Sequence, residues 1–333
     1  MNAMTRQEEI LRIFPDYMRD RWEKPLRSAD KLQEIRLGVG RPVRFLIAGE
    51  EFFLSCRGNI SKNIEDAWYI TEREMEETLK KVCHYSMYAF ENEIRQGFLT
   101  VPGGHRIGVA GQVIMGENGC IRNMSHIRFL NIRISHEILG VANPVMPYLY
   151  ERGRVQNTLL ISPPGCGKTT MLRDIVRQIS EGNLYGKGRQ VGVVDERSEI
   201  AGSFMGIPQN NVGIRTDVLD ACPKALGMML LMRSMAPSVV AVDEVGGETD
   251  MRAIYQVLSC GSSVVVTMHG NSMEDARRHM RCRTGEQMEL FERFLFLEKE
   301  RGICRVREIL DFQGKRLYPE REERECGSFL DAC

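Results

Sequence analysis

The stretch that most limits the fold is TLLISPPGCGKTTMLRDIVRQIS, residues 158–180. An apolar run leads into a glycine-rich turn, and a periodic helical pattern follows. That order is the context of a phosphate-binding loop, G-x-x-x-x-G-K-[ST]. Three more apolar runs, rich in β-branched residues, come later: QVGVVDE (190–196), SVVAVDE (238–244) and SSVVVTMH (262–269). Each is followed by a loop and a helical stretch. The alternation predicts an α/β fold, a parallel sheet with crossover helices.

Ser162 stands where the loop pattern has its first glycine. It is small and leaves the strand before the tight part of the turn, so the turn tolerates it. Gly165 and Gly167 supply the positive φ and the close backbone approach that phosphate needs. Residues Pro164, Gly165, Cys166, Gly167, Lys168, Thr169 and Thr170 form the expected nucleotide cradle. Lys168 is expected to reach the β and γ phosphates, and the Thr169 hydroxyl to bind Mg²⁺. Cys166 reads first as a small filler. A helix N-terminus and Lys168 would both make it a reactive thiol instead.

Asp243 and Glu244 end an apolar strand, as the Mg²⁺-holding Asp and water-activating Glu of phosphate-loop enzymes do. An adjacent Glu favours hydrolysis over transfer to a small molecule. Asp195, Glu196, Arg197 and Glu199 close another strand at the same sheet edge. Glu196 is the expected one of these to face the nucleotide. Thr267 and His269 end a fourth strand and are expected to point at the γ-phosphate. Arg215, Arg277, Arg278, Arg281 and Arg283 are candidates for contacts to a neighbouring subunit, although a solvated arginine is the plainer reading of each. Met228, Met229, Met232 and Met235 recur at helical spacing and read as packing residues.

The first 140 residues read as a mixed α+β domain without a catalytic signature. Residues 1–37 read mostly as helix broken at Pro15. Strands flank a turn at 48–50, residues 71–95 read as one or two helices, and Thr71 with Glu74 forms a capping box at their start. A second strand pair turns at 102–104. Residues 141–155, with Pro144, Pro147 and Gly153, read as a linker. Residues 156–290 form the nucleotide domain. Residues 291–333 read as a charged extension, and the tail after about residue 285 reads as a helix, a strand pair around Gln313-Gly314, then a frayed end.

Charge is balanced, 45 basic against 45 acidic residues. That gives no reason to expect nucleic acid as a partner. The ten cysteines include no CxxC pair, so they read as reduced thiols of a cytosolic protein. No run of about 20 apolar residues is present, so direct membrane insertion is not expected.

Several stretches together carry a resemblance: EIRLGVGRPV, YSMYAFENEIRQGFLTVPGGHRIGVAG, NIRISHEI, SPPGCGKTTMLRD, VGVVDERSEIAG and VGIRTDVLDACPKA. With the strand ending in Asp243-Glu244, they span roughly residues 34 to 270. The chain resembles the stage III sporulation AA family of endospore-forming Firmicutes. More distantly it is similar to the traffic ATPases of type II and type IV secretion and pilus machines. The resemblance implies a RecA-like P-loop ATPase domain after a smaller α+β domain, using ATP and Mg²⁺. It implies a homo-hexamer in the mother-cell cytoplasm, peripheral at the membrane around the forespore. There it would energise a secretion-like channel through partner proteins of the stage III A complex. It places Gly165–Thr170 as the Walker A loop, Asp243-Glu244 as Walker B, Asp195, Glu196 and Glu199 as the acidic box, and His269 as the histidine box. It also makes Arg106 or Arg133 a candidate to reach the nucleotide. Traffic ATPases often keep only the Walker B Glu, so Glu244 and Glu196 both stand as the residue that activates water.

The leading reading is therefore a motor ATPase. A nucleic-acid-dependent RecA-like or AAA-type ATPase is the alternative. A small-molecule kinase and a nucleotide-binding scaffold are weaker ones.

Overall fold

The computed structural model describes residues 5–27, 31–116, 119–279, 286–300 and 303–319. The chain divides into two compact units, residues 1–137 with 202–210, and residues 138–201 with 211–333.

The first unit is built on seven antiparallel strands: β1 (Leu32–Gly38), β2 (Arg44–Ile47), β3 (Glu50–Leu54), β4 (Ile60–Ser61), β5 (Phe98–Val101), β6 (His105–Met115) and β7 (Ile121–Arg133). Their order is β4-β3-β2-β1-β7-β6-β5. Helices α1 (Arg6–Leu11), α2 (Arg19–Leu26), α3 (Glu72–Val82) and α4 (Glu91–Gln96) complete it. Ile10, Met18, Trp22, Leu26, Met75 and Leu79 from the helical segments share one buried core with Ile35, Phe45 and Ile132 from the strands. Phe14 stacks on Trp22 with ring centroids 3.8 Å apart.

Local signals behave as their chemistry demands. Ala48 and Gly49 take φ of 51° and 85°, the left-handed pair that suits the twist of the β2–β3 hairpin. Thr71 Oγ1 accepts the Glu74 amide at 3.2 Å, and Glu74 Oε2 accepts the Thr71 amide at 2.9 Å. The expectation of helix through residue 37 fails after Leu26. Leu32–Gly38 is a strand between β2 and β7. Ile35 and Leu37 are buried while Arg36 between them is exposed, which is the period of a strand and not of a helix.

The second unit holds an eight-stranded sheet: β8 (Thr158–Ser162), β9 (Val191–Asp195), β10 (Thr216–Asp220), β11 (Val239–Val242), β12 (Ser263–His269), β13 (Arg293–Glu300), β14 (Ile303–Asp311) and β15 (Arg316–Tyr318). The order is β10-β9-β11-β12-β8-β13-β14-β15. The first six are parallel, and β14 and β15 are antiparallel additions. The four apolar runs are thus neighbours in one parallel sheet. Both faces are buried. Leu160, Val193, Ala241 and Val265 face α5 (Lys168–Glu181), whose Met171, Ile175 and Ile179 cover them. Leu159, Val194, Val240 and Val264 face α6 (Lys224–Ser234) and α7 (Glu248–Ser259), which bring Met228, Leu231, Ile254 and Val257. Met228 is therefore core, and Met232 packs against it.

Three boundaries differ from the sequence reading. Residues 141–155 are not a free linker: Ala142, Val145, Met146, Leu149 and Val155 are buried in the second unit's core. The Ala142 amide also donates to buried Asp174 on α5 at 2.8 Å. Residues 291–319 are not an appended extension, because β13 pairs in parallel directly with the phosphate-loop strand β8. Its four central residues, Phe294–Leu297, are buried, and the charges that suggested a tail lie at its ends. The helix expected after about residue 285 is a short 3₁₀ helix, Glu286–Leu290, while the strand pair around Gln313-Gly314 is β14–β15. The frayed end falls outside the described residues. Finally, residues 202–210 leave the second unit and pack with the first. There Gln209 Oε1 accepts the Gly103 amide at 3.0 Å, and Phe204 lies against His84.

Candidate nucleotide site

Parallel strands all end at one edge, and loops at that edge gather side chains from distant parts of the chain. Here that edge collects the ends of β8, β9, β11 and β12. Ser162 closes β8 opposite His269 of β12. It is fully buried, and its hydroxyl donates to the Pro163 carbonyl at 3.0 Å. It keeps extended strand geometry, so the position has no conformational need for glycine. The need begins later. Gly165 has φ of 72° and Gly167 of 84°. A Cβ on Gly167 would also stand 3.0 Å from the Cys304 Cβ. Gly167 is the N-cap of α5 and offers no side chain to its first amides. Those amides are available to an anion, and the helix dipole favours one. Pro164 and Gly165 are exposed at the turn, Cys166 is buried, and Thr169 and Thr170 are half-buried at the helix start.

Lys168 is only 7% exposed. Burial pulls its pKa down, while the charges of Asp243, Glu244 and Glu199 and the Cys166 thiol oppose that shift. Its Nζ lies 3.0 Å from His269 Nδ1. An ammonium can only donate, so Nδ1 accepts and Nε2 carries the ring proton. Nε2 is 3.1 Å from Glu244 Oε1, and the other carboxylate oxygen, Oε2, is 3.2 Å from Arg197 Nη1. Lys168, His269, Glu244 and Arg197 thus form one chain of contacts.

A second set runs through Asp243. The Thr169 hydroxyl donates to Asp243 Oδ2 at 2.6 Å. The hydroxyl of fully buried Thr267 donates to the other oxygen, Oδ1. Thr267 Oγ1 also accepts the Glu244 amide at 2.9 Å, and the Thr267 carbonyl accepts the Val245 amide at 2.8 Å. These bonds hold Glu244 at φ of 57°, a left-handed value that a non-glycine residue keeps only where its surroundings impose it. The side chain is aimed by that turn. The sequence placed Thr267 toward phosphate. The structure uses it to hold Asp243 and Glu244.

The end of β9 sorts its acids. Asp195 is buried and accepts the amides of Glu199, Ile200 and Ala201 at 2.8, 3.0 and 2.8 Å. Burial outweighs these bonds and pushes its pKa up to about 6. It closes the loop that follows. Glu196 does not join the Lys168 group: it pairs with Lys224 at the start of α6, Nζ to Oε2 2.5 Å. Glu196, expected to face the nucleotide, thus has Lys224 as its ion-pair partner. Glu199 is the acid of this loop whose charge reaches Lys168. Arg173 of α5 donates to the Glu199 carbonyl at 2.6 Å and pins the loop to the helix. Neither Arg173 nor the pairing of Lys224 carries any local sequence signal.

Among the arginine candidates, Arg215 is committed to its own unit. Its amide donates to Ser180 Oγ at 2.7 Å and its Nη1 to the Ser180 carbonyl at 2.9 Å. Arg278 pairs with Asp275 at 2.8 Å, and Arg277 is exposed. Arg281 and Arg283 lie outside the described residues. Arg106 and Arg133 belong to the first unit, with Arg106 over the Phe98 ring.

The oxygen pair of Thr169 and Asp243 suits a hard divalent cation. Mg²⁺ commonly takes one or two protein oxygens and fills the rest with water and phosphate. Among the described residues no group of three or more His, Cys, Asp or Glu side chains is arranged to hold a metal by itself.

The mixed α/β fold resembles that of RecA-like ATPase domains. The ATPase DotB of Legionella pneumophila superposes with a TM-score of 0.55 at 15% identity, over 87% of this chain and 80% of that one. The pilus retraction motor PilT with bound ADP gives 0.58 at 15%, over 86% and 81%. At that identity the likeness concerns the fold. Sequence says more: stage III sporulation protein AA of Bacillus subtilis (strain 168) is 41% identical over 307 residues, 92% of this chain and 95% of that protein. The family model described as "Sporulation stage III, protein AA" matches residues 4–317. The chain belongs to the sporulation stage III, protein AA family.

Proposed function

We propose that the protein is a Mg²⁺-dependent ATPase of the secretion-motor kind, working in endospore formation. The observation that carries this reading is the convergence of Lys168, Thr169, Asp243, Glu244 and His269 at one strand edge, beside an uncapped helix start. The α5 amides and Lys168 bind the β and γ phosphates of ATP. Thr169 and Asp243 hold Mg²⁺, which neutralises phosphate charge when bound. Glu244 orients and deprotonates the attacking water, and His269 holds the Glu244 carboxylate on the side of the terminal phosphate. Glu196, drawn to Lys224, is the lesser candidate for that base. The reading gains support from the RecA-like fold shared with DotB and with PilT, which binds ADP.

The same reading extends to assembly and place. An arginine supplied by a neighbouring subunit can stabilise the transferring phosphoryl group, and a homo-hexamer is the proposed working form. No described helix is long and apolar enough to cross a membrane. Attachment at the forespore-surrounding membrane is therefore assigned to partner proteins of the stage III A complex, with this chain on the mother-cell side. Energising assembly of, or transport through, that channel is the proposed role. The test is steady-state ATP hydrolysis with Mg²⁺ by the purified protein and by Lys168→Ala, with mass by light scattering with and without a non-hydrolysable analogue. Lys168-dependent hydrolysis and analogue-driven assembly are expected. Hydrolysis that survives Lys168→Ala would remove the site assignment.

A further inference from the structure

We infer that Arg197 is the residue by which this site distinguishes a triphosphate from a diphosphate. The inference rests on the ATPase reading above and adds a specificity-determining residue to it.

Arg197 lies two residues beyond the end of β9, in the loop that Asp195 closes and Arg173 ties to α5. The acids beside it have other duties: Glu196 is bound by Lys224, and Asp195 by three amides. Ser198, the next residue, takes φ of 52° and donates its hydroxyl to Asp220 at 2.6 Å. The loop backbone on both sides of Arg197 is therefore fixed, while its side chain is 63% exposed and reaches across to Glu244. It stands at the far end of the chain that begins at Lys168: Lys168 to His269 3.0 Å, His269 to Glu244 3.1 Å, Glu244 to Arg197 3.2 Å.

Charge decides what this arrangement does. Glu244 is one carboxylate with a cation or ring N–H on each oxygen. A terminal phosphate held at Lys168 is a second, more highly charged anion at the same edge. An ion pair as exposed as Arg197–Glu244 contributes little and is given up at little cost. A guanidinium contact to phosphate is charge-assisted, bidentate in geometry and stronger. With ATP, Arg197 passes from Glu244 to the γ-phosphate, and one Glu244 oxygen becomes able to accept a proton from water. With ADP no γ-phosphate competes, and Arg197 stays on Glu244. One side chain thus reports the terminal phosphate and releases the base.

The test is equilibrium binding of ADP and of a non-hydrolysable ATP analogue, both with Mg²⁺, to wild type, Arg197→Ala, Arg197→Lys and Lys168→Ala. Arg197→Ala should weaken the triphosphate analogue about tenfold and leave ADP within about twofold, the size of one charge-assisted contact. Arg197→Lys, which keeps the charge without the fork, should recover part of the loss. In hydrolysis, Arg197→Ala should lower kcat with the thermal midpoint unchanged. Equal weakening of both nucleotides, or none, would overturn the inference. So would a kcat that rises. Lys168→Ala separates the two levels: if it binds both nucleotides like wild type, the phosphate-loop reading itself fails.

Discussion

The Thr169 hydroxyl lies 2.6 Å from Asp243 Oδ2, a bond between residues 74 positions apart. It joins the first turn of α5 to the residue just past β11. Helix start and strand end are thereby registered on each other. We expect Thr169→Val to leave fold and diphosphate binding largely intact while raising the Mg²⁺ concentration needed for half-maximal hydrolysis at least tenfold. Magnesium titrations of initial rate check this. An unchanged requirement would take Thr169 out of the metal site.

Glu244 and Glu196 separate cleanly by substitution. Glu244→Gln should bind ATP and hydrolyse it about 10²–10⁴ times more slowly, the span of a lost general base. Glu196→Gln should stay within about threefold of wild type, because its carboxylate pairs with Lys224 and not with the Lys168 group. Single-turnover rates with labelled ATP measure both. A dead Glu196→Gln beside an active Glu244→Gln would reverse the assignment.

From a buried position the Thr267 hydroxyl serves one acceptor, Asp243 Oδ1, and one donor, the Glu244 amide. Thr267→Val keeps the shape and strands the Glu244 amide and one Asp243 oxygen. A loss of about 1–3 kcal/mol in unfolding free energy is expected, along with a fall in kcat. Thr267→Ser should restore most of both. Chemical denaturation with a parallel rate assay distinguishes this from a purely structural role, in which stability falls and the rate per folded molecule does not.

Asp195 sets a pH dependence. Its carboxyl titrates at about 6 in the folded protein against 3.8 for the ordinary side chain. The folded state therefore binds the proton more tightly than the unfolded chain. Stability from this group is fully present below about pH 4 and is lost as pH rises through 6. The change is on the order of 3 kcal/mol, about two pH units at 1.36 kcal/mol each. Denaturation midpoints of wild type and Asp195→Asn between pH 4 and 7 should diverge with that slope. Parallel curves would show that the carboxylate is held ionised.

Cys166 is buried in the phosphate loop, and Cys304 touches the space beside Gly167. Burial raises the Cys304 thiol's pKa, and Cys166 adds to that. Thiol reagents should therefore act slowly on Cys304, and on Cys166 because it is buried, and bound nucleotide should slow them further at Cys166. Peptide mass mapping after timed alkylation, with and without nucleotide, reads this directly. Full activity in protein shown to be modified at Cys166 would exclude that thiol from the nucleotide's surroundings.

Much of the second unit was legible in the chain. Four apolar runs with helical stretches between them specify a parallel sheet, because strand period and burial on both faces are local properties of composition. Parallel strands end together, so the pattern alone brings Ser162–Thr170, Asp195–Glu199, Asp243-Glu244 and Thr267–His269 to one edge. Gly165 and Gly167 announced the loop, because only glycine takes those φ values cheaply. Other features were decided by tertiary structure alone. Leu32–Gly38 became a strand because β2 and β7 flank it. Phe294–Leu297 joined the sheet beside β8, although charges at the strand's ends made the segment read as a tail. Lys224 took Glu196 away from the phosphate loop, Thr267 turned from ligand to brace, and Arg197 reached Glu244. Each of these depends on a partner tens to more than a hundred residues away. Local pattern states what a segment can become; which partner it meets is settled only when the sheet closes and every buried polar group must find its bond.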